Sequence, residues 1–315
     1  MTVVRFFFLG AFVLGVVACG DDEQASGGAG AGGANGGENP GGGSSDGGSS
    51  DGGAASGGND TNGGNGNGGG GLGGGLPGGP SSERTTVRPI GTVDGAPLGY
   101  VEYLPPGYGD GALRPLLLFH HGIGESGNGS EAELPAVMNT GLPALLKNDQ
   151  WAEEQPFIIL SSQHDAPPFT SCHSVEEIES FITFAMANYD VDPKRVYITG
   201  LSCGAIGSWN YLGAHTNEVV AAAVLIAGDG NGAFNQAGCE LGLVPIWAFH
   251  GSADTTVNPN GSTQPIKALT GCTDPEAVEA KVTIYPDVGH NSWDMTYNGS
   301  AGHDIYSWML GYQHP

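Results

Sequence analysis

The sequence predicts an α/β fold built on a mainly parallel sheet. From about Glu83 onward, short continuous apolar runs such as Pro115–His120 and Pro156–Ser161 alternate with segments of helical spacing such as Glu176–Tyr189. Continuous apolar strands suit a sheet covered on both faces, and strands alternating with helices imply crossover connections. Residues 83–315 supply one sizeable core and too little chain for two comfortable domains.

The elements follow in order. Val101–Leu104 alternates as a strand and runs into the turn Pro105–Asp110. Pro115–His120 is a buried strand ending in His121-Gly122-Ile123-Gly124-Glu125-Ser126-Gly127. Leu142–Lys147 belongs to a helix, and Pro156–Ser161 is the next strand. Glu176–Tyr189 places Ile178, Phe181, Ile182, Ala185 and Met186 on one helical face, and Asp190–Arg195 ends it. Val196–Gly200 is a strand, Ala205–Ala214 a helix, and Ala221–Ala227, Val244–His250 and Val282–Pro286 are further strands. Ile305–Tyr312 closes the chain as a helix. Such sheets bind their ligands beyond the carboxyl ends of the strands.

The chain before the fold is of another kind. Arg5 precedes an apolar run from Phe6 to Ala18, too short to span a bilayer comfortably and suited to a signal peptide. Val16-Val17-Ala18-Cys19 resembles the bacterial lipobox, which makes residues 1–19 a lipoprotein signal ending at a lipidated Cys19. Gly20 rather than Asp after that Cys favours the outer membrane or cell surface over inner-membrane retention. Residues 20–82 are almost wholly Gly, Ser, Asn, Asp and Ala, a composition that cannot bury enough apolar surface to fold. The expectation is an exported domain on a flexible tether, touching the membrane only through its lipid.

Charge narrows the function. With 33 acidic against 9 basic residues, the net charge is −24. Nucleic-acid binding needs clustered Lys and Arg, so it is excluded, as is a polybasic membrane patch.

The chemistry centres on Val196-Tyr197-Ile198-Thr199-Gly200-Leu201-Ser202-Cys203-Gly204-Ala205. Gly-x-Ser-x-Gly stands here directly after an apolar strand and before a helix, the context a nucleophile elbow requires. Ser202 is thereby exposed at a helix N-terminus, where developing negative charge is favoured. A hydroxyl needs a base, and His290 follows the last strand in Gly289-His290-Asn291-Ser292-Trp293, with His303 and His314 as fallbacks. The base needs a carboxylate. Asp254 follows the strand Pro245–His250 and lies between Ser202 and His290 in the chain, with Asp229 and Asp287 as rivals. The N–H of Cys203 and the N–H of Ile123 are expected to hold an oxyanion.

These segments together resemble one family. The His121–Gly127 loop, Asp192–Ser202, Trp247–Gly251 with Asp254, and Tyr285-Pro286 with Gly289-His290 look like the prolyl-oligopeptidase-like phospholipase/carboxylesterases. Secreted enzymes similar to feruloyl esterases and polyhydroxybutyrate depolymerases are that group's neighbours. The resemblance spans about residues 96–312 and implies an α/β-hydrolase fold, a Ser-Asp-His triad and hydrolysis of carboxylic esters, with an ester as the one partner and no cofactor. It departs from the family in the run Ser202-Cys203-Gly204-Ala205, where Met or Ala often follows the nucleophile. The short spacing from elbow to Asp254 leaves no room for a large cap domain.

Four further cysteines allow three disulfide connectivities in an exported protein. The pairs Cys239–Cys272 and Cys172–Cys203 are expected, the second fastening the loop before the Glu176 helix beside the elbow. Trp293 and Gln163 are candidates for contact with substrate, and His164 follows the same strand end as Gln163. No zinc spacing such as His-Glu-x-x-His occurs, so catalysis by a metal is not indicated. A peptidase of the same fold and a silent surface-binding module are the alternative functions.

Overall fold

The computed structural model describes residues 79–165 and 171–315. The signal peptide, Cys19 and nearly all of the expected tether lie outside the described residues. A 3-10 turn, Ser81–Arg84, opens the described chain. The Ser81 hydroxyl donates to the carbonyl of Leu146 at 2.8 Å, and the Ser82 N–H donates to the Asp149 carboxylate at 2.8 Å. The packed chain thus includes Ser81 and Ser82, two residues ahead of the expected boundary.

Eight strands form one sheet: β1 (Thr85–Arg88), β2 (Tyr100–Tyr103), β3 (Arg114–His120), β4 (Ile158–Ser162), β5 (Val191–Leu201), β6 (Val220–Ile226), β7 (Ile246–Gly251) and β8 (Ala280–Tyr285). Their order is β1-β2-β4-β3-β5-β6-β7-β8. The pairs β1·β2 and β2·β4 are antiparallel and the remainder parallel. Among the described residues, five helices lie between strands, α1 (Gly141–Lys147), α2 (Val175–Asn188), α3 (Cys203–Ala214), α4 (Asn231–Ala237) and α5 (Asn260–Leu269), and two follow β8, α6 (Trp293–Tyr297) and α7 (Ile305–Leu310).

The continuous apolar strands are explained by two cores, one on each face. Leu116 and Leu118 of β3 and Ile198 of β5 join Phe181 of α2, Trp209 of α3 and Ile266 of α5. Leu117 and Phe119 point the other way, to Leu142 of α1 and to Ile305 and Met309 of α7. Side chains alternate across a strand, so a strand covered on both faces has no polar side to show. Each such buried side chain contributes about 1.5–3 kcal/mol of transfer free energy.

The helix over 176–189 begins one residue earlier because Ser174 caps it. The Ser174 hydroxyl accepts from the Glu177 N–H, and the Glu177 carboxylate accepts from the Ser174 N–H, both at 3.1 Å. The helix ends before Asp190, and the strand expected from Val196 already begins at Val191, so Val191–Arg195 is extended chain inside β5. Val191 pairs with Arg114 before the register jumps to Val196 opposite Leu116. Pro193 biases the residue before it to extended geometry, consistent with that outcome.

Candidate active site

β5 ends at Leu201 and α3 starts at Cys203, so Ser202 alone makes the turn, with φ 50° and ψ −120°. A non-glycine residue reaches that region only when its surroundings impose it. The Ser202 N–H donates to the carbonyl of Ile226 on β6 at 2.9 Å, and its own carbonyl accepts from the Ile206 N–H at 3.0 Å. The flanking glycines are sterically required. A Cβ on Gly200 would lie 2.8 Å from the carbonyl carbon of Gly204, and one on Gly204 would lie 2.1 Å from the carbonyl oxygen of His120. The end of β3 therefore presses on the first turn of α3.

Asp254 follows β7 and His290 follows β8. His290 Nε2 is 2.9 Å from Ser202 Oγ, and its Nδ1 is 2.7 Å from Asp254 Oδ2. Asp254 Oδ1 accepts from the N–H groups of Thr256 at 2.8 Å and Val257 at 3.0 Å. Burial pushes the Asp254 pKa upward, but the hydrogen bonds from His290, Val257 and Thr256 outweigh it and hold the carboxyl below its usual range. An ionised Asp254 fixes the tautomer: His290 Nδ1–H donates to it, leaving Nε2 to accept the Ser202 hydroxyl.

A second imidazole shares that carboxylate. His250, fully buried at the end of β7, has Nε2 3.1 Å from Asp254 Oδ2 and 3.0 Å from the carbonyl of Val257. Its Nδ1 lies 2.8 Å from Ser262 Oγ. Burial lowers its pKa, so it stays neutral, with Nε2–H donating to both oxygens and Nδ1 accepting from Ser262. The sequence reading gave His250 no role. The signal available was a polar residue closing an apolar strand four positions before an acid.

Cys203 N–H and Ile123 N–H each stand at the first position of a helical turn, where no carbonyl of that turn accepts them. The Ile123 loop lies against the elbow, since a Cβ on Gly122 would sit 2.9 Å from Leu201 Cδ1 and 3.8 Å from Ser202 Cβ.

Gln163 requires a correction. Its side chain is buried, and its amide nitrogen donates to the carbonyls of Glu125 at 2.8 Å and Glu133 at 3.0 Å. Its amide oxygen accepts from the Gly129 N–H at 3.0 Å. Both donors are engaged inside the fold, so Gln163 fastens the loop behind Ile123 instead of meeting substrate. His164 pairs with Glu177 at 2.7 Å. Trp293 opens α6 and stands edge-on to the His290 ring, with centroids 5.1 Å apart.

The rivals lie elsewhere. His303 packs on Trp247 and Phe249, and His314 bonds the carbonyl of Asn217. Asp229 accepts from Asn231, and Asp287 turns the chain with φ 58°. Disulfides join Cys172 to Cys203 and Cys239 to Cys272. Between Ser202 and Asp254 the chain adds only α4 and a 3-10 segment, Gly238–Leu243, outside the core strands and α3. Among the described residues, nothing between them forms a cap domain.

Comparison with known proteins fits this geometry. Residues 159–310 match the dienelactone hydrolase family. Feruloyl esterase B of Piromyces equi is 29% identical over 163 residues, which cover 50% of this chain and 29% of that protein. The chain thus spans less than a third of the length of that curated relative. Among solved structures, a thermostable esterase aligns with a TM-score of 0.54 at 22% identity, over 74% of this chain and 64% of its own. Thermogutta terrifontis esterase 2, phosphoramylated by tabun, aligns with a TM-score of 0.51 at 16% identity, over 75% of this chain and 98% of its own. The chain has an α/β-hydrolase fold, and these matches agree with the esterase resemblance read from the sequence.

Proposed function

We propose, on the premise of the α/β-hydrolase fold, that this protein is a serine hydrolase cleaving carboxylic esters through an acyl-enzyme. The observation that carries the reading is the hydrogen-bonded chain from Ser202 Oγ through His290 to Asp254 at the carboxyl ends of β5, β8 and β7. Ser202 Oγ attacks the ester carbonyl while His290 Nε2 takes its proton, and Asp254 stabilises the imidazolium. The N–H groups of Ile123 and Cys203 hold the tetrahedral oxyanion. As that intermediate collapses, His290 returns the proton to the departing alcohol. Water, deprotonated by His290, then releases the acid and restores Ser202. The Piromyces equi relative supports a hydroxycinnamate ester as one substrate class.

We further propose that the protein is exported and lipid-anchored through Cys19, which the apolar run ending in Val16-Val17-Ala18-Cys19 supports. Labelled palmitate should enter the wild-type chain and not Cys19→Ser. Equal labelling of both would defeat the anchor.

For the enzyme, the full chain is assayed on methyl ferulate and on p-nitrophenyl acetate, butyrate and octanoate, beside Ser202→Ala. Turnover that falls by roughly 10⁴-fold or more in the variant is expected. Equal rates for the two chains would refute Ser202 as the nucleophile. Inertness on all four esters, with no labelling of Ser202 by a fluorophosphonate, would leave a silent binding module.

A further inference from the structure

On the elbow side of the sheet, four imidazoles crowd together. The His173 ring centroid lies 4.6 Å from that of His121, 5.0 Å from His164 and 5.1 Å from His120. Three of the rings have clear partners. His120 Nδ1 is bonded to Ser208 Oγ at 2.8 Å. His121 Nδ1 donates to the carbonyl of Gly122 at 2.6 Å, and its Nε2 accepts the His164 N–H at 2.9 Å. His164 Nδ1 faces both carboxylate oxygens of Glu177, at 2.7 and 2.9 Å. His173 differs. It is only 3% exposed, and its Nε2 has no hydrogen-bond partner. A buried polar nitrogen left without a partner is destabilising and demands a reason.

We propose that His164, His173 and Glu177 form a structural binding site for a zinc-class divalent metal ion. One donor atom from each lies within 4.8 Å of the other two. Two imidazole nitrogens and a carboxylate oxygen are a set that zinc accepts, at about 2.0–2.2 Å each. Bonds of that length separate donors by roughly 3.3–3.5 Å in a tetrahedron. On binding, the His164–Glu177 contact would open slightly and His173 would close in. The ion supplies the partner that His173 lacks.

Position and access fit the same reading. His164 follows β4, His173 precedes α2, and Glu177 lies in the first turn of α2. An open surface cavity of about 550 Å³ is lined by His164, Cys172 and Glu177 but not by the buried His173, so water and an ion reach the site from the side of two of its three ligands. Cys172, next to His173, is bonded to Cys203, the residue after Ser202. An ion here would tie the start of α2 to the end of β4, and through that disulfide to the first turn of α3. It would brace the elbow without touching substrate, so the site stands independently of the proposed reaction.

The test uses the full chain, stripped with a chelator and titrated with zinc chloride by calorimetry, with metal per chain counted by plasma mass spectrometry. One zinc per chain is expected, with a higher unfolding midpoint in its presence. His173→Ala and Glu177→Gln should each weaken binding about tenfold or more. Glu177→Gln keeps an oxygen for the Ser174 cap, so it carries the test if His173→Ala fails to fold by circular dichroism. No zinc uptake, or uptake unchanged in both variants, overturns the proposal. So does uptake lost only in His215→Ala, which would assign the ion to the exposed His215–Glu218 pair.

Discussion

Ser202 and His290 meet at 2.9 Å, yet the fold holds them by different means. On the serine side, main chain presses on main chain: Gly204 sits under the carbonyl of His120, and Gly200 against the carbonyl of Gly204. On the histidine side, the loop rests on Gly251, where a Cβ would meet the carbonyls of Val288 and Gly289 at 2.2 Å, but Gly289 itself has nothing within 4 Å of a Cβ. The His290 side chain keeps 22% of its surface exposed. Its ring is fixed by Asp254 at one nitrogen and by the edge contact with Trp293. The proposed nucleophile is thus placed by backbone packing alone, and the proposed base by backbone packing beneath its loop together with side-chain hydrogen bonding. Substitutions should separate the two, with structure lost on one side and rate lost on the other.

The largest expected effect is on the histidine side. Asp254→Asn should lower kcat by about 10³–10⁴-fold while circular dichroism stays unchanged, because the amide oxygen can still accept from Thr256 and Val257 while the charge and the acceptor that His290 and His250 share are lost. A rate within tenfold of wild type would show that packing holds His290 as well.

Gly204→Ala should act in the opposite manner. Its methyl cannot share space with the His120 carbonyl, so stability falls by roughly 3 kcal/mol, read from the denaturant midpoint. A stable, active variant would mean that the elbow can shift as a body.

Acid should load the serine side more heavily, with His120 and His121 there against His250 alone beside Asp254. Burial lowers His120 to about 3 and His121 to about 4, both on the serine side. Below an unfolded value of about 6.5, the unfolded chain takes up protons that the folded one refuses. Stability is therefore fully present above that value and should fall by about 2–3 kcal/mol between roughly pH 7.5 and 5.5. Asp254 has a depressed folded pKa, so its contribution persists until the pH falls through the carboxylate range, near 3.9 and below. Flat stability down to about pH 5 would contradict the neutral burial of these imidazoles.

The smallest effect belongs to Gly289→Ala. With open space around it, kcat/KM should stay within about threefold of wild type. A large loss would place a hidden constraint beside the base.

Much of this arrangement was legible in the chain. The buried strands announced themselves because both faces of the sheet are covered, and the positions of Ser202, Asp254 and His290 after β5, β7 and β8 followed from strand order. What escaped was local or tertiary. α5 contains Gly261 and Pro265, which obscure helical spacing, and α4 and α6 are too short to show a period. β1 is a half-buried edge strand whose mixed residues carry no clear alternation. Gln163 faces the loop Glu125–Glu133, and His250 faces Asp254. Both roles depend on which segments meet in space, and no spacing along the chain encodes that.

The backbone of Ser202 carries a further consequence, for how sequences are selected. A residue held at φ 50° costs about 1–3 kcal/mol relative to a relaxed one, and glycine would adopt that angle freely. Selection for robustness alone would drift position 202 toward glycine and yield a sturdier, inert protein. A serine at this turn carries a folding cost that the proposed reaction would account for.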